Sequence, residues 1–434
     1  MKTIAESLES GDPAAVTAAL LARSSVSGIP EMLREVALSA CSILDAERPP
    51  VPAHLHPYLA LGAAAGLTPL MRRDQLLPLA QSAWYLARSP RRTAPAPPGR
   101  ILGEEVHLSK SLLTAIQESR AGDAERLLHG LLRNRERVQV GDLFFQGAAE
   151  DNAVGGHKLV AATLGWILAR QIGWRNSPML VLRPAIRAVA SPPRDTDSWV
   201  AVSRSLGSAM LDLDRVSRQS GALPNELMAV EKTFGGEDRT AAAKAAVAAL
   251  SSGAGADGLL DVVSRHLSRA ILGGGGDAAV HAFTFAHAAR FVLHFSKSSH
   301  RVLPALQAAV LAAAVKSAPP ILPAPATIGD RGAALNEMTL AIDMGDTAEV
   351  LGLLQGYLAS GGNPEDLVAT LAREAAKEDA HATGGHSLIY AHAALQEYRH
   401  STATDRSLHL VGLASWLSSL DHSREVVEAL GSFA

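Results

Sequence analysis

The chain has 434 residues, of which 47% are hydrophobic, 19% charged and 4% aromatic. This composition excludes a disordered chain and allows one large domain or two to four modules. A formal net charge of −3, with the arginines scattered, argues against a nucleic-acid partner. The single cysteine, Cys41, excludes an intrachain disulfide framework, a cysteine-rich zinc site and a complete Rieske cluster.

The N-terminal segment contains acidic residues and no apolar core, so it resembles neither a signal peptide nor a transit peptide. We therefore predict a cytoplasmic protein. The longest apolar stretch, residues 302–315, is shorter than the ~20 residues that a bilayer requires. We predict no membrane span.

A long internal repeat organises the chain. Asp12, Asp123, Asp238 and Asp346 open similar segments that are 111, 115 and 108 residues apart, and each is followed 19 or 20 residues later by a second acid. Runs of Ala and Leu at helical spacing follow each acid. The pattern predicts an all-α fold of four quasi-equivalent helical modules of about 110 residues, arranged as two pseudo-symmetric halves.

Proline-rich connectors separate the predicted modules. In chain order these are module 1 (residues 1–100), module 2 (101–195), a bridging helix and loop (196–237), module 3 (238–332) and module 4 (333–434). Each module reads as an acid-capped helix, a second helix opened by an acid, a Gly- or Pro-rich break, and two more helices.

A histidine follows the break in every module, namely His56, His157, His281 and His386. A histidine near a helix start is more often a capping or packing residue than a ligand, and duplicated modules inherit equivalent residues whether or not these function. However, eleven of the sixteen histidines fall between His266 and His422. This uneven distribution predicts that the chemistry lies in the second half.

A metal site would need three or more imidazoles or carboxylates from different modules, because one helix cannot supply them all. We predict that His281 and His386 are metal ligands that meet across the pseudo-symmetry axis. The pool for the remaining positions is His266, His381, Glu378 and Asp277.

Glu-x-x-His, a spacing used by di-iron proteins, also occurs in the second half. Glu378 and His381 enter the pool for this reason. Glu397 and His400 lie at a predicted helix end beside Arg399, which favours a solvated pair. The chain has no GxSxG elbow, P-loop or GxGxxG motif, so no catalytic or other cofactor-binding residue is assigned.

The stretches HAFTFAHAARFVLHF, from His281, and GGHSLIYAHAALQEYR, from Gly384, resemble two groups of proteins. One is the questin oxidase family of helical oxygenases, and the other is the histidine-bearing helical region that accompanies Rieske ferredoxin domains in some bacterial proteins. The second resemblance implies iron and oxygen chemistry with a ferredoxin-type electron donor, which this chain does not itself carry. The recurring histidines of those groups correspond here to His266, His281, His381 and His386.

Three hypotheses about function follow. The first is a metal-dependent, non-haem iron oxidoreductase or oxygenase that acts on an apolar or aromatic small molecule in a groove between modules 3 and 4. The second is a non-catalytic helical-repeat protein that binds a peptide or partner helix. The third is a haem-binding helical protein, and a divalent metal other than iron also stays open.

Overall fold

The computed structural model describes residues 2–44, 52–71, 73–90, 99–134, 136–175, 178–221 and 223–432. In these ranges the chain is all-α, as predicted, and pairs its backbone in β fashion only at isolated bridges such as Gly221 with Ala254. No helix within the described ranges is both long enough and apolar enough to cross a membrane.

The first two predicted modules each contain five described α-helices where the pattern predicted four, because a further helix precedes the expected four in each. These helices are α1 (Ile4–Ser10), α2 (Pro13–Ser24), α3 (Ile29–Ile43), α4 (Pro52–Leu67), α5 (Leu76–Arg88), α6 (Glu105–Gln117), α7 (Ala121–Asn134), α8 (Arg137–Ala149), α9 (His157–Ile172) and α10 (Pro178–Val189).

The bridging segment contains three helices, α11 (Asp197–Ala209), α12 (Leu213–Val216) and α13 (Pro224–Glu231), where we expected one. The chain breaks after α11 because Met210 takes a left-handed conformation. The side chain of Asp212 then caps α12 by accepting a hydrogen bond from the Arg215 amide, and Pro224 opens α13.

The remaining helices lie in predicted modules 3 and 4, and the helix at residues 331–343 crosses the predicted boundary between residues 332 and 333. They are α14 (Arg239–Ser251), α15 (Ala256–Leu272), α16 (Gly276–Phe295), α17 (Leu303–Ala313), α18 (Arg331–Asp343), α19 (Thr347–Ala359), α20 (Pro364–Lys377), α21 (His386–His400), α22 (Leu408–Ser418) and α23 (Glu425–Ser432).

Four helices, one from each predicted module, form a closed ring at the centre of the molecule. We call α4, α9, α16 and α21 the central ring, because α4 packs on α9, α9 on α16, α16 on α21 and α21 on α4. Small residues permit this close packing: a side chain at Gly62 would lie 2.8 Å from the Cβ atom of Leu164. The ring brings together segments that are far apart in sequence.

Two glutamine contacts tie the halves together in a corresponding manner. Gln81 of α5 accepts a hydrogen bond from the Ala380 amide, in the loop before α21. Gln307 of α17 accepts one from the Asn152 side chain, in the loop before α9. Module 1 thus contacts module 4 as module 3 contacts module 2. The duplication itself stays a prediction.

Candidate metal centre

The four histidines that follow the breaks meet at one end of the central ring. The Nε2 atoms of His56 and His157 are 2.6 Å apart, and those of His281 and His386 are 2.8 Å apart. Each of the four offers one ring nitrogen, and these nitrogens all lie within 4.8 Å of one another. We call this group the four-histidine centre.

Glycines in left-handed conformation place two of these histidines at the first position of their helices. Gly156 precedes His157 with φ of 84°, and Gly385 precedes His386 with φ of 83°. Only glycine adopts such angles without strain. A side chain at Gly156 would also lie 2.5 Å from the ring of Phe285 on α16. The Gly-rich break therefore permits both the turn and the close approach.

Two buried aspartates hold the loops that lead into these glycines. Asp151 accepts hydrogen bonds from the amide of Asp195 and, at 2.6 Å, from the buried ammonium group of Lys158. Asp379 accepts from the Ser423 hydroxyl and from the amide of Glu425. Both carboxylates are fully buried. Each therefore fixes the loop that directly precedes a histidine at the start of its helix.

The Nδ1 sides of three of the four rings face backbone. His56 forms a backbone hydrogen bond with Gly384, and His386 forms one with Thr383. A side chain at Gly155 would lie 3.3 Å from Nδ1 of His281, so that nitrogen also faces a loop. This arrangement turns the Nε2 atoms toward the centre and resembles the outer-shell support that metal-binding histidines receive.

Burial keeps three of the four imidazoles, those of His56, His281 and His386, neutral. Burial, together with the neighbouring rings of His157, His386 and His281, lowers the pKa of His56 to about 2. Burial and His386 lower the pKa of His281 to about 4. Burial likewise lowers the pKa of His386. A neutral imidazole is the form that coordinates a metal, so these three rings need no deprotonation at neutral pH.

The four predicted pool residues lie outside this group of nitrogens. Asp277 is exposed and acts only through its charge, which favours the charged forms of His281 and His386. His266 packs on Phe234 and shares a 3.1 Å hydrogen bond with the carbonyl oxygen of Val315.

The other two pool residues lie near the C-terminal helix. The carboxylate of Glu378 accepts a 2.7 Å hydrogen bond from Nδ1 of His422. His381 lies in a second cluster of possible ligands with Asp379 and Glu425, but the guanidinium group of Arg88 contacts both His381 and Glu425. A cation already occupies that position, so the cluster is a salt-bridge network.

Sequence reasoning identified His281 and His386 but left His56 and His157 out of the ligand set. The expectation that the chemistry lies in the second half is too narrow, since the first half supplies two of the four imidazoles. The available signal was the recurrence of a histidine after every break. Four imidazole nitrogen donors suit zinc, copper, nickel or ferrous iron rather than calcium or magnesium, which prefer oxygen ligands.

A cavity of about 600 Å³, which we call the distal cavity, lies toward the other end of the central ring. His287 lines it and follows His281 by six residues on α16, a rise of about 9 Å. Buried apolar side chains, including Phe285 and Ile389, lie between the two levels. The residues that line the distal cavity include Ile167, Arg170, His287, Arg290, Phe291, His294, Phe295, His392 and His400.

A buried charge network borders the distal cavity. Nε of Arg290 donates to both carboxylate oxygens of Glu397, at 3.0 and 2.9 Å, and its other nitrogens reach Asp261 at 2.8 Å and Asp257 at 3.1 Å. Burial would raise the pKa of Glu397, but Arg290 and His287 lower it well below its usual range. The predicted solvated pair of Glu397 with His400 is therefore wrong: Glu397 is fully buried.

The chain matches no protein-family model, no curated protein and no solved structure. The resemblance to questin oxidases and to the Rieske-associated helical region therefore stays a prediction.

Proposed function

We propose that the four-histidine centre binds one divalent first-row transition-metal ion. The observation that carries this proposal is the convergence of four imidazoles, one from each helix of the central ring, with their Nε2 atoms turned inward. Pairwise hydrogen bonds would need only two rings at a time, whereas all four nitrogens lie within 4.8 Å of one another, as ligands of a single ion would.

The more detailed proposal is a metal-dependent oxidoreductase that acts on an apolar or aromatic small molecule in the distal cavity. Iron is the metal that the resemblance implies, and when bound it supplies one-electron redox chemistry. The cavity lies within the usual size range of small-molecule sites, and all four predicted modules line it, including α16 of module 3 and α21 of module 4. Electrons would come from a separate ferredoxin-type donor.

Elemental analysis of protein purified without a metal-affinity tag tests the metal site. We expect about one equivalent of a transition metal in the wild type. His281→Ala and His386→Ala should lose it with helicity almost unchanged, and so should His56→Ala and His157→Ala. His266→Ala is the matched control and should keep the metal, because His266 bonds to the Val315 carbonyl instead.

Retention of the metal by all four variants would place the site elsewhere. A wild type that takes up none of ferrous, manganese, copper and zinc ions would exclude the metal site altogether. An absorption spectrum of the purified protein separates non-haem metal from haem, whose binding would contradict this proposal.

A second candidate function is a binding protein in which the metal is purely structural. The apolar layer between the centre and the distal cavity favours it, since a molecule in the cavity would not touch the metal. In that case zinc would replace iron without loss of function. A redox titration of the iron-loaded protein distinguishes the two, because a purely structural site needs no accessible reduction potential.

A further inference from the structure

We propose that His287 is a general base in the distal cavity, where it accepts the proton of an acidic hydroxyl group on a bound phenol or enol. The proposal depends on the proposed function only in that a small molecule occupies this cavity. It does not require a metal in the four-histidine centre.

The hydrogen bonding of His287 leaves one basic nitrogen for a ligand. Its Nδ1 donates to the Oε1 atom of Glu397 at 3.2 Å. Its Nε2 makes no hydrogen bond within the described part of the chain, and the residue lines the distal cavity while being 9% exposed. A buried imidazole whose Nδ1 is held by a carboxylate is the usual arrangement of a catalytic histidine base.

Glu397 is a positioning residue for this base. Arg290 donates hydrogen bonds to both of its carboxylate oxygens, and Arg290 also donates one to Asp261 on α15. Each of these side chains is buried and has little freedom to rotate. The network therefore fixes both the tautomer and the orientation of the His287 ring.

Charged side chains surround His287. Glu397, Asp261 and Asp257 contact the guanidinium group of Arg290, and Arg170 and Arg399 line the same cavity. The titratable and charged groups that face His287 are Glu397, His392 and His400 on α21, Arg290 and His294 on α16, Asp257 and Asp261 on α15, and Arg170 on α9.

A second imidazole can hold the deprotonated oxygen. His392 is 3% exposed, lies edge-on to His287 with ring centroids 5.2 Å apart, and makes no hydrogen bond among the described residues. Burial, His287 and His400 hold the pKa of His392 well below its usual value, so it is neutral and has one N–H to donate. It lines the same cavity as His287.

The cavity walls fit a flat apolar body. The rings of Phe291 and Phe295 are stacked 5.6 Å apart, and Ile167 lies on the neighbouring helix α9. In the proposed step the O–H bond of the ligand breaks, its electron pair stays on the oxygen, and the proton forms an N–H bond at Nε2 of His287. The products are a phenolate or enolate and an imidazolium, and the step needs no oxidant.

Binding of para-nitrophenol tests this step, because the phenolate absorbs at longer wavelength than the phenol. At a pH about one unit below the pKa of the free probe, roughly nine-tenths of the free probe is neutral. We expect the wild type, with a chelator present, to bind it as the phenolate. His287→Gln should lower the bound phenolate fraction about tenfold.

His266→Gln is the matched control, since His266 is also a buried imidazole but bonds to the carbonyl oxygen of Val315 and does not line the distal cavity. It should behave as the wild type. para-Nitroanisole, which has no acidic proton, should bind equally to the wild type and to His287→Gln if the cavity is intact in the variant.

Three outcomes would overturn the proposal: no probe binding by the wild type, a neutral bound phenol in the wild type, or a phenolate that persists in His287→Gln. A spectral shift that appears only with added metal and vanishes in His281→Ala would mean coordination to the metal instead. A failure of the metal proposal alone would leave the chelator-treated result unchanged.

Discussion

The imidazole of His409 on α22 lies in an enclosed environment. It shares a 2.9 Å hydrogen bond with the hydroxyl of Ser268, and its ring meets Phe283 edge-on at 5.6 Å. Burial lowers its pKa from 6.5 to about 4, although the nearby carboxylates Glu397 and Asp261 oppose this. The folded protein therefore holds this side chain neutral where the unfolded chain would protonate it.

This depressed pKa predicts a loss of stability in acid. The contribution is intact above about pH 6.5 and is lost as the pH falls toward about 4, since the unfolded state binds the extra proton in that window. At about pH 5 the loss from His409 alone is roughly 2 kcal/mol. His409→Gln cannot titrate, so its free energy of unfolding should fall less than that of the wild type.

Urea unfolding of both proteins at about pH 7 and about pH 5 measures the difference. The other buried histidines titrate in both proteins and cancel in the comparison. Equal losses in the two proteins would contradict the prediction.

The sequence indicated which residue types matter, namely histidines that follow a Gly- or Pro-rich break. It did not indicate which individual side chains come into contact. The Gly-Gly-His spacing pointed to His386, because its left-handed glycines are readable from the sequence. Glu397 could not be placed, since its burial depends on Arg290, which reaches it from α16 across the helix interface. No local pattern records that contact.

Among the helices, the contact of α4 with α9 is the tightest constraint on the first half of the central ring. A Cβ at Gly62 would lie 2.8 Å from the Cβ atom and 3.0 Å from the carbonyl oxygen of Leu164. Because that oxygen belongs to helix backbone, the two helices would have to separate. His56 and His157 lie on these same two helices.

Gly62→Ala should therefore destabilise the protein by about 1–3 kcal/mol and weaken metal binding. Gly122→Ala is the matched control: Gly122 lies within α7 with no atom near its added side chain, so alanine should be neutral or slightly stabilising. Denaturant unfolding and metal titration of both variants provide the measurement. Equal stability of the two variants would mean that the ring tolerates wider spacing.

The helices themselves were largely predictable. Asp12, Asp238 and Asp346 each accept a hydrogen bond from an amide in the first turn of their helix, as their spacing indicated. Asp123 differs, because α7 begins at Ala121 and Asp123 lies inside its first turn, where it pairs with Arg120. The order of helices around the ring could not be read, since helical periodicity says which face is buried but not against which partner.

For the whole molecule, the two halves are expected to depend on each other. The packing of α9 on α16 and of α21 on α4 crosses between them, as does the hydrogen bond of Gln81 with the loop before α21. A fragment ending near Glu237 would expose these apolar faces to water. We expect it to aggregate or to melt below the full chain.

Calorimetry of that fragment, of a fragment beginning at Asp238 and of their equimolar mixture checks this expectation. The mixture should recover part of the melting temperature and the metal binding that neither fragment has alone. A first-half fragment as stable as the full chain would show that the halves are independent.

The central ring also bears on how the protein is made. His56 and His386 are 386 − 56 = 330 residues apart in the chain, yet their ring centroids are 4.8 Å apart. Domains generally begin to fold from the N-terminus during synthesis, at about 5–20 residues per second. The four-histidine centre therefore cannot form until the last quarter of the chain, which contains His386, has left the ribosome. A metal ion held by all four would mark a chain whose synthesis has reached its final helices.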